Sequence, residues 1–187
     1  MTVTEKDYNI ICLEYRQDSS DKDYGSCMYA RFYFNLDKYE ITIISDCGNY
    51  GYKWVETPTA ESFLQLIGRM DSGYLLDKIA GIPSFFDYDA TKSNVYDKFG
   101  YDDDEVADLD KIFEIIEDRM FLPDEADDFI VLFNSACEEC YKSYDDYEIS
   151  TLPVFTHTPN QRKIAEVFEK YIQPKVCEMI RPHECVS

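Results

Sequence analysis

The chain has 187 residues, 45% of them hydrophobic and 16% aromatic, and carries a formal net charge of −20. That length and apolar content suffice for a sizeable core, which excludes overall disorder. So strong a negative field excludes sequence-nonspecific DNA or RNA binding, which needs Lys and Arg against phosphates, and favours attraction to basic surfaces.

Tyr8–Tyr15 (YNIICLEY) reads as a strand, and the polar run Asp18–Ser26 with Gly25 as a hairpin connection. Cys27–Leu36 is a second strand, with Met28, Ala30, Phe32 and Phe34 on one face and Tyr29, Arg31 and Tyr33 on the other. A turn at Asn35–Lys38 leads to a third strand, Tyr39–Ser45. The turn at Asp46–Asn49 leads to a fourth, Tyr50–Val55, with Tyr50, Tyr52 and Trp54 on one face. Short polar links between consecutive strands favour an antiparallel meander, because parallel neighbours need long crossovers.

From there the pattern turns helical. Thr57 or Thr59, with Pro58, opens a helix through Phe63, Leu64, Leu66, Ile67 and Met70. Asp71-Ser72-Gly73 interrupts it. Tyr74, Leu75, Leu76 and Ile79 continue as a short helix that Gly81 and Pro83 end. Ser84–Gly100 mixes aromatics with Asp and Asn and reads as short helices and loops. Asp102 caps Asp103–Arg119, whose stripe is Val106, Leu109, Ile112, Phe113, Ile116 and Met120. Pro123 begins a helix over roughly 124–144, with Phe129, Leu132, Phe133, Ala136, Cys140 and Tyr144 inward. Ile149–Thr158 is extended, a candidate edge strand, and Asn160 caps a last helix with a kink or stop at Pro174. The expected fold class is α+β in one domain spanning 1–187: a four-stranded antiparallel sheet in residues 1–56, then about five helices packing on it.

Several groups bear on chemistry. The seven cysteines are odd in number and scattered, which fits reduced thiols in the cytosol. Cys137 and Cys140 have the spacing of zinc and redox sites, but no second pair accompanies them and they lie within a helical stripe, so core thiols are expected. Cys47 and His157 are the members of a thiol-enzyme reading. Glu14, Asp46 and Lys53 are those of a metal-dependent nuclease reading. Neither acidic run, Asp102–Glu105 or Asp124–Asp128, has the alternating oxygen ligands and central Gly of a calcium loop. No cofactor is implied. The N-terminus has no basic, apolar leader, and no window approaches the ~18 apolar residues of a membrane span, so a soluble cytoplasmic protein is expected.

The charge is concentrated. Residues 83–148 carry 21 acidic and 5 basic groups, against 13 and 8 in 1–82 and 4 and 5 in 149–187. This centre supplies the candidate partner-binding residues: Asp102, Asp103, Asp104, Glu105, Asp108, Asp124, Glu125, Asp127, Asp128, Asp145 and Asp146. Spaced carboxylates on helices imitate the charge of a nucleic-acid backbone and suit the basic groove of a nucleic-acid-binding protein. Tyr88, Tyr96, Tyr101, Tyr141, Tyr144 and Tyr147 are candidate anchors beside them. A homodimer through exposed rings is the other association that this composition allows.

A small, acidic, Tyr-rich chain of this kind resembles the accessory proteins of phages and mobile elements, and the pattern DCGNYGYKW…FLQLIGRMDSGYLL (Asp46–Leu76) resembles one in phage proteins. Among these accessory proteins it is similar in character to the anti-CRISPR proteins, several of which are acidic and block the nucleic-acid channel of a Cas effector. That resemblance implies a non-catalytic inhibitor in the host cytoplasm, acting on a Cas9-type effector. Anti-CRISPR families share no common motif, so the resemblance assigns no residue a role.

Overall fold

The computed structural model describes residues 5–22, 24–55, 62–119 and 121–180. In chain order the strands β1 (Ile10–Arg16), β2 (Tyr29–Asn35), β3 (Glu40–Ser45) and β4 (Gly48–Lys53) precede helices α1 (Phe63–Arg69) and α2 (Ser72–Ile79). Then follow β5 (Phe85–Phe86), α3 (Tyr88–Phe99), α4 (Asp103–Glu117), α5 (Ala126–Glu139), α6 (Asp146–Ser150) and β6 (Phe155–Thr156). The final run is α7 (Pro159–Val167), a wider π-helical segment at Phe168–Ile172, and α8 (Gln173–Ile180). Counting that run as one helix, the described residues hold seven helices rather than about five. None is long and apolar enough to cross a membrane.

The α+β class and the N-terminal meander are as the sequence predicts. The sheet order is β1-β2-β3-β4 with every neighbouring pair antiparallel. Register builds two apolar rows on one face, Leu13–Phe32–Ile43–Tyr50 and Ile11–Phe34–Ile41–Tyr52. Phe32, Phe34, Ile41 and Ile43 are fully buried there. Met28, expected on this face, lies outside β2 and is 47% exposed, because its backbone N–H is turned to the Asp46 carboxylate.

The residues fall into two compact units, Met1–Ile82 with His157–Ser187, and Pro83–Thr156. In the first, α1, α2, α7, the π segment and α8 bury Phe63, Ile67, Leu75, Ile164, Phe168, Ile172 and Val176 with the inner face of the sheet. Ser62 caps α1 in a reciprocal capping box with Gln65, and Asp71 caps α2. The caps expected at Thr57 or Thr59, and Pro58, lie outside the described residues. Thr158 caps α7, with Pro159 in the first turn, so Asn160 lies two residues past the cap, inside the helix. Pro174 does not end the helix: the wider π segment precedes it and α8 continues past it. The Gln173 side chain donates to the carbonyls of Gly68 (3.2 Å) and Met70 (2.5 Å), joining α8 to the end of α1.

The second unit has its own core of Val95, Phe99, Leu109, Ile112, Phe113, Ile116, Phe129, Phe133, Ala136, Cys137, Ile149 and Leu152. Within Ser84–Gly100, the strand β5 is followed by one twelve-residue helix, α3, capped by Asp87, rather than by short helical pieces. Helix α5 begins at Ala126 and ends at Glu139, not near Tyr144. Its end is a Schellman turn: Lys142 N–H donates to Cys137 O and Tyr141 N–H to Glu138 O, with Tyr141 left-handed at φ 56. The segment Ile149–Thr158 is not an edge of the main sheet. Ile149 lies in α6, and only Phe155–Thr156 is strand, paired antiparallel with Phe85–Phe86.

Candidate functional site

The candidate surface lies on the 83–156 unit, which has 21 carboxylates and five cations. Each of those cations is held by an acid. Lys92 meets Glu117 at 2.6 Å, Lys98 meets Glu148 at 4.0 Å and Arg119 meets Glu139 at 3.2 Å. Lys111 and Lys142 both meet Asp108, at 3.1 and 2.5 Å. The lysine hydrogen bonds hold the Asp108 and Glu117 carboxyls below their ordinary range. With the positive groups engaged, most of the remaining carboxylates in this unit stand uncompensated.

The predicted residues divide by task. Asp102 caps α4 by accepting from Glu105 N–H, and Asp145 caps α6 by accepting from Tyr147 and Glu148 N–H. Asp108 is the hub of the two lysine pairs. Those three have structural work. Asp103, Asp104, Asp124, Glu125, Asp127, Asp128 and Asp146 are exposed, without an ion pair among the described residues. Asp103 and Asp104 in the first turn of α4, and Asp127 and Asp128 in that of α5, are stabilised by the unpaired N–H groups there. Lys142, in the loop after α5, is held by the Asp108 carboxylate, and the Glu105 charge adds to the field that favours its protonated form. Asp124, Glu125 and Asp127 instead line a shallow depression of ≈ 380 Å³ with Phe85, Phe86 and Phe155.

The six candidate tyrosines also divide. Tyr101, Tyr141 and Tyr147 are exposed, Tyr141 at 98%. Tyr88, Tyr96 and Tyr144 serve the core instead. Tyr96 stacks on Phe113 at 5.4 Å and donates to Asp110, Tyr144 lies 4.4 Å from Phe99, and Tyr88 sets its edge against Phe113 and Phe129. Burial and neighbouring carboxylates raise the Tyr88 and Tyr96 hydroxyls. Exposed Phe121, Leu122 and Val131 join the surface, a set that sequence reading passed over because two lie in a loop and one on a helix with a clear inward stripe.

The catalytic alternatives are not assembled. The Cys47 thiol donates to Ser26 O at 3.0 Å, and burial raises it, whereas a nucleophilic thiol needs the opposite shift. Glu14 sits opposite Arg31 and pairs with Arg16 and Arg31, while Lys53 lies opposite Glu40 and Asp46 binds the backbone of Met28 and Tyr29. The register therefore keeps these three apart as a nuclease centre. Cys137 is in the core, its thiol pushed up to about 12 by burial and then by Cys140.

Residues 1–178 match the model of a phage family, Phage_phiTE_072. The chain belongs to this phage family. No curated protein and no solved structure matches it. Membership of the phage family agrees with the resemblance drawn from Asp46–Leu76, and it covers both compact units of the chain.

Proposed function

We propose that this phage protein is a non-catalytic inhibitor whose acidic 83–156 surface binds a basic nucleic-acid-handling protein of the host. In its specific form, the partner is a Cas9-type effector and the protein is an anti-CRISPR that occupies the effector's nucleic-acid groove. One observation carries the reading. All five cations of the unit are held by carboxylates, and seven of the eleven candidate acids are exposed without an ion pair among the described residues. Such a field steers a positively charged partner and makes association fast and salt-sensitive. Tyr101, Tyr141 and Tyr147 stand exposed on the same unit as contact anchors.

The test is binding to a purified Cas9-type effector with and without its guide and target DNA, at low and high salt. The expected result is competition with target DNA and an affinity that falls by roughly tenfold or more as exposed charge is screened. Replacing Asp103, Asp104, Asp124, Asp127 and Asp128 by Asn weakens binding to a similar degree while the protein stays cooperatively folded, since none of these side chains caps a helix or holds a lysine and the first-turn carboxylates add only about 0.3–1 kcal/mol each. Affinity that ignores both salt and these substitutions overturns the charge-based mechanism. Salt-sensitive binding to other basic nucleic-acid enzymes, with none to the Cas effector, removes the specific partner.

A further inference from the structure

A second group of side chains lies outside the acidic surface, at the end of the sheet. Cys27 precedes β2 by two residues, and Asp46 and Cys47 form the turn between β3 and β4. The β2–β3 register pairs Ala30 with Ser45, so its continuation brings the 27–28 backbone alongside Cys47. The two sulfurs and a carboxylate oxygen of Asp46 all lie within 4.8 Å of one another, with Cys27 fully buried and Cys47 3% exposed. The thiols donate to backbone carbonyls, Cys27 to Tyr29 O at 3.7 Å and Cys47 to Ser26 O at 3.0 Å, and further bonds hold the turn without them. Asp46 accepts from Met28 N–H at 2.8 Å and Tyr29 N–H at 3.4 Å, and Tyr50 Oη–H donates to Cys47 O at 2.7 Å.

We infer that Cys27, Asp46 and Cys47 form a binding site for a thiophilic divalent cation of the zinc class. Such an ion takes sulfur at about 2.3 Å and carboxylate oxygen at about 2.0–2.2 Å, which sets the sulfurs of a tetrahedral site about 3.8 Å apart. The three donors therefore need to close by no more than about an ångström to meet one ion, with the fourth position left to water. Charge favours the same class. Two buried thiolates beside a carboxylate are costly alone, and a doubly positive ion compensates them as the two thiol protons pass to solvent. A disulfide is the competing fate of the pair, but it needs the sulfurs at about 2.05 Å and forms through a thiolate, which the Asp46 charge opposes. Cys27 comes from the approach to β2 and Cys47 from the β3–β4 turn, and this site is independent of the inhibitor reading.

The experiment uses the full-length protein, stripped by chelator and kept reduced, titrated with Co²⁺ and then Zn²⁺. The expected result is a thiolate-to-cobalt charge-transfer band that saturates at one equivalent, with two protons released per ion, and that Zn²⁺ abolishes. Cys47→Ser removes the band, and a variant with Cys137→Ser and Cys140→Ser keeps it. Because the buried cysteines also pack in the core, Asp46→Asn gives a second reading: the band stays while the ion binds at least tenfold more weakly. A reduced protein with no band overturns the site, as does a band lost only with Cys137 and Cys140. An intact mass short by two hydrogens, with Cys27 and Cys47 linked in a peptide map, assigns the pair to a disulfide instead.

Discussion

Tyr141 holds a left-handed backbone at φ 56 while its ring touches almost nothing, at 98% exposed. This is the position at which a Schellman turn ordinarily carries glycine, because a Cβ there is strained. Tyr141→Gly is expected to raise stability by about 0.5–1 kcal/mol, read as a higher denaturation midpoint. If the ring anchors a partner, the same substitution weakens binding, so the two measurements move in opposite directions. Thr91 shows the reverse situation. It is fully buried and its hydroxyl oxygen accepts from Val154 N–H at 2.9 Å, tying α3 to the segment before β6. Thr91→Val keeps the shape but orphans that N–H, and is expected to cost about 1–3 kcal/mol in chemical denaturation.

At the scale of elements, Asp108 joins α4 to the loop after α5 through Lys142. Its carboxyl is held below the ordinary range first by Lys142 and then by Lys111. A depressed carboxylate contributes stability above its unfolded value, and that contribution is lost as the pH falls through its folded value. The Tm difference between Asp108→Asn and the natural protein is therefore expected at neutral pH and should vanish below the carboxylate range. The elements differ in how plainly the sequence carries them. The meander was legible because alternation of apolar and polar residues has a period of two and the links are too short for crossovers. Helix α3 was not, since only Thr91, Val95 and Phe99 of YDATKSNVYDKF are buried and one of them is polar. The acidic surface was legible as composition. Its division into caps, a lysine hub and free carboxylates was not, because Lys142 lies 34 residues from Asp108 in the chain. Cys27 beside Cys47 becomes visible only once the strand register is known.

At the scale of the molecule, residues 83–156 enter and leave next to each other, because β5 and β6 pair across Phe85–Thr156 and Phe86–Phe155. The unit also owns its hydrophobic core. A fragment spanning 83–156 is expected to unfold cooperatively on its own, as measured by circular dichroism with urea; a helical but non-cooperative fragment would refute this. The other unit has no such independence, since its sheet and its last helices come from opposite ends of the described chain. Phe32 meets Phe168 at 6.2 Å, and Tyr15 meets Tyr171 at 4.8 Å.

This discontinuity sets a timetable on the ribosome. The strands carrying Phe32, Phe34, Ile41 and Ile43 emerge first, followed by α1 and α2, yet Phe168 and Ile172, which complete their cover, follow only after the whole acidic unit has been made. At about 5–20 residues per second, the nascent sheet waits on the order of 5–20 s with its apolar face only partly covered, while the later-made unit folds from local contacts. The first part of the protein to be synthesised is thus the last to be finished, and it is the part that a chaperone would find.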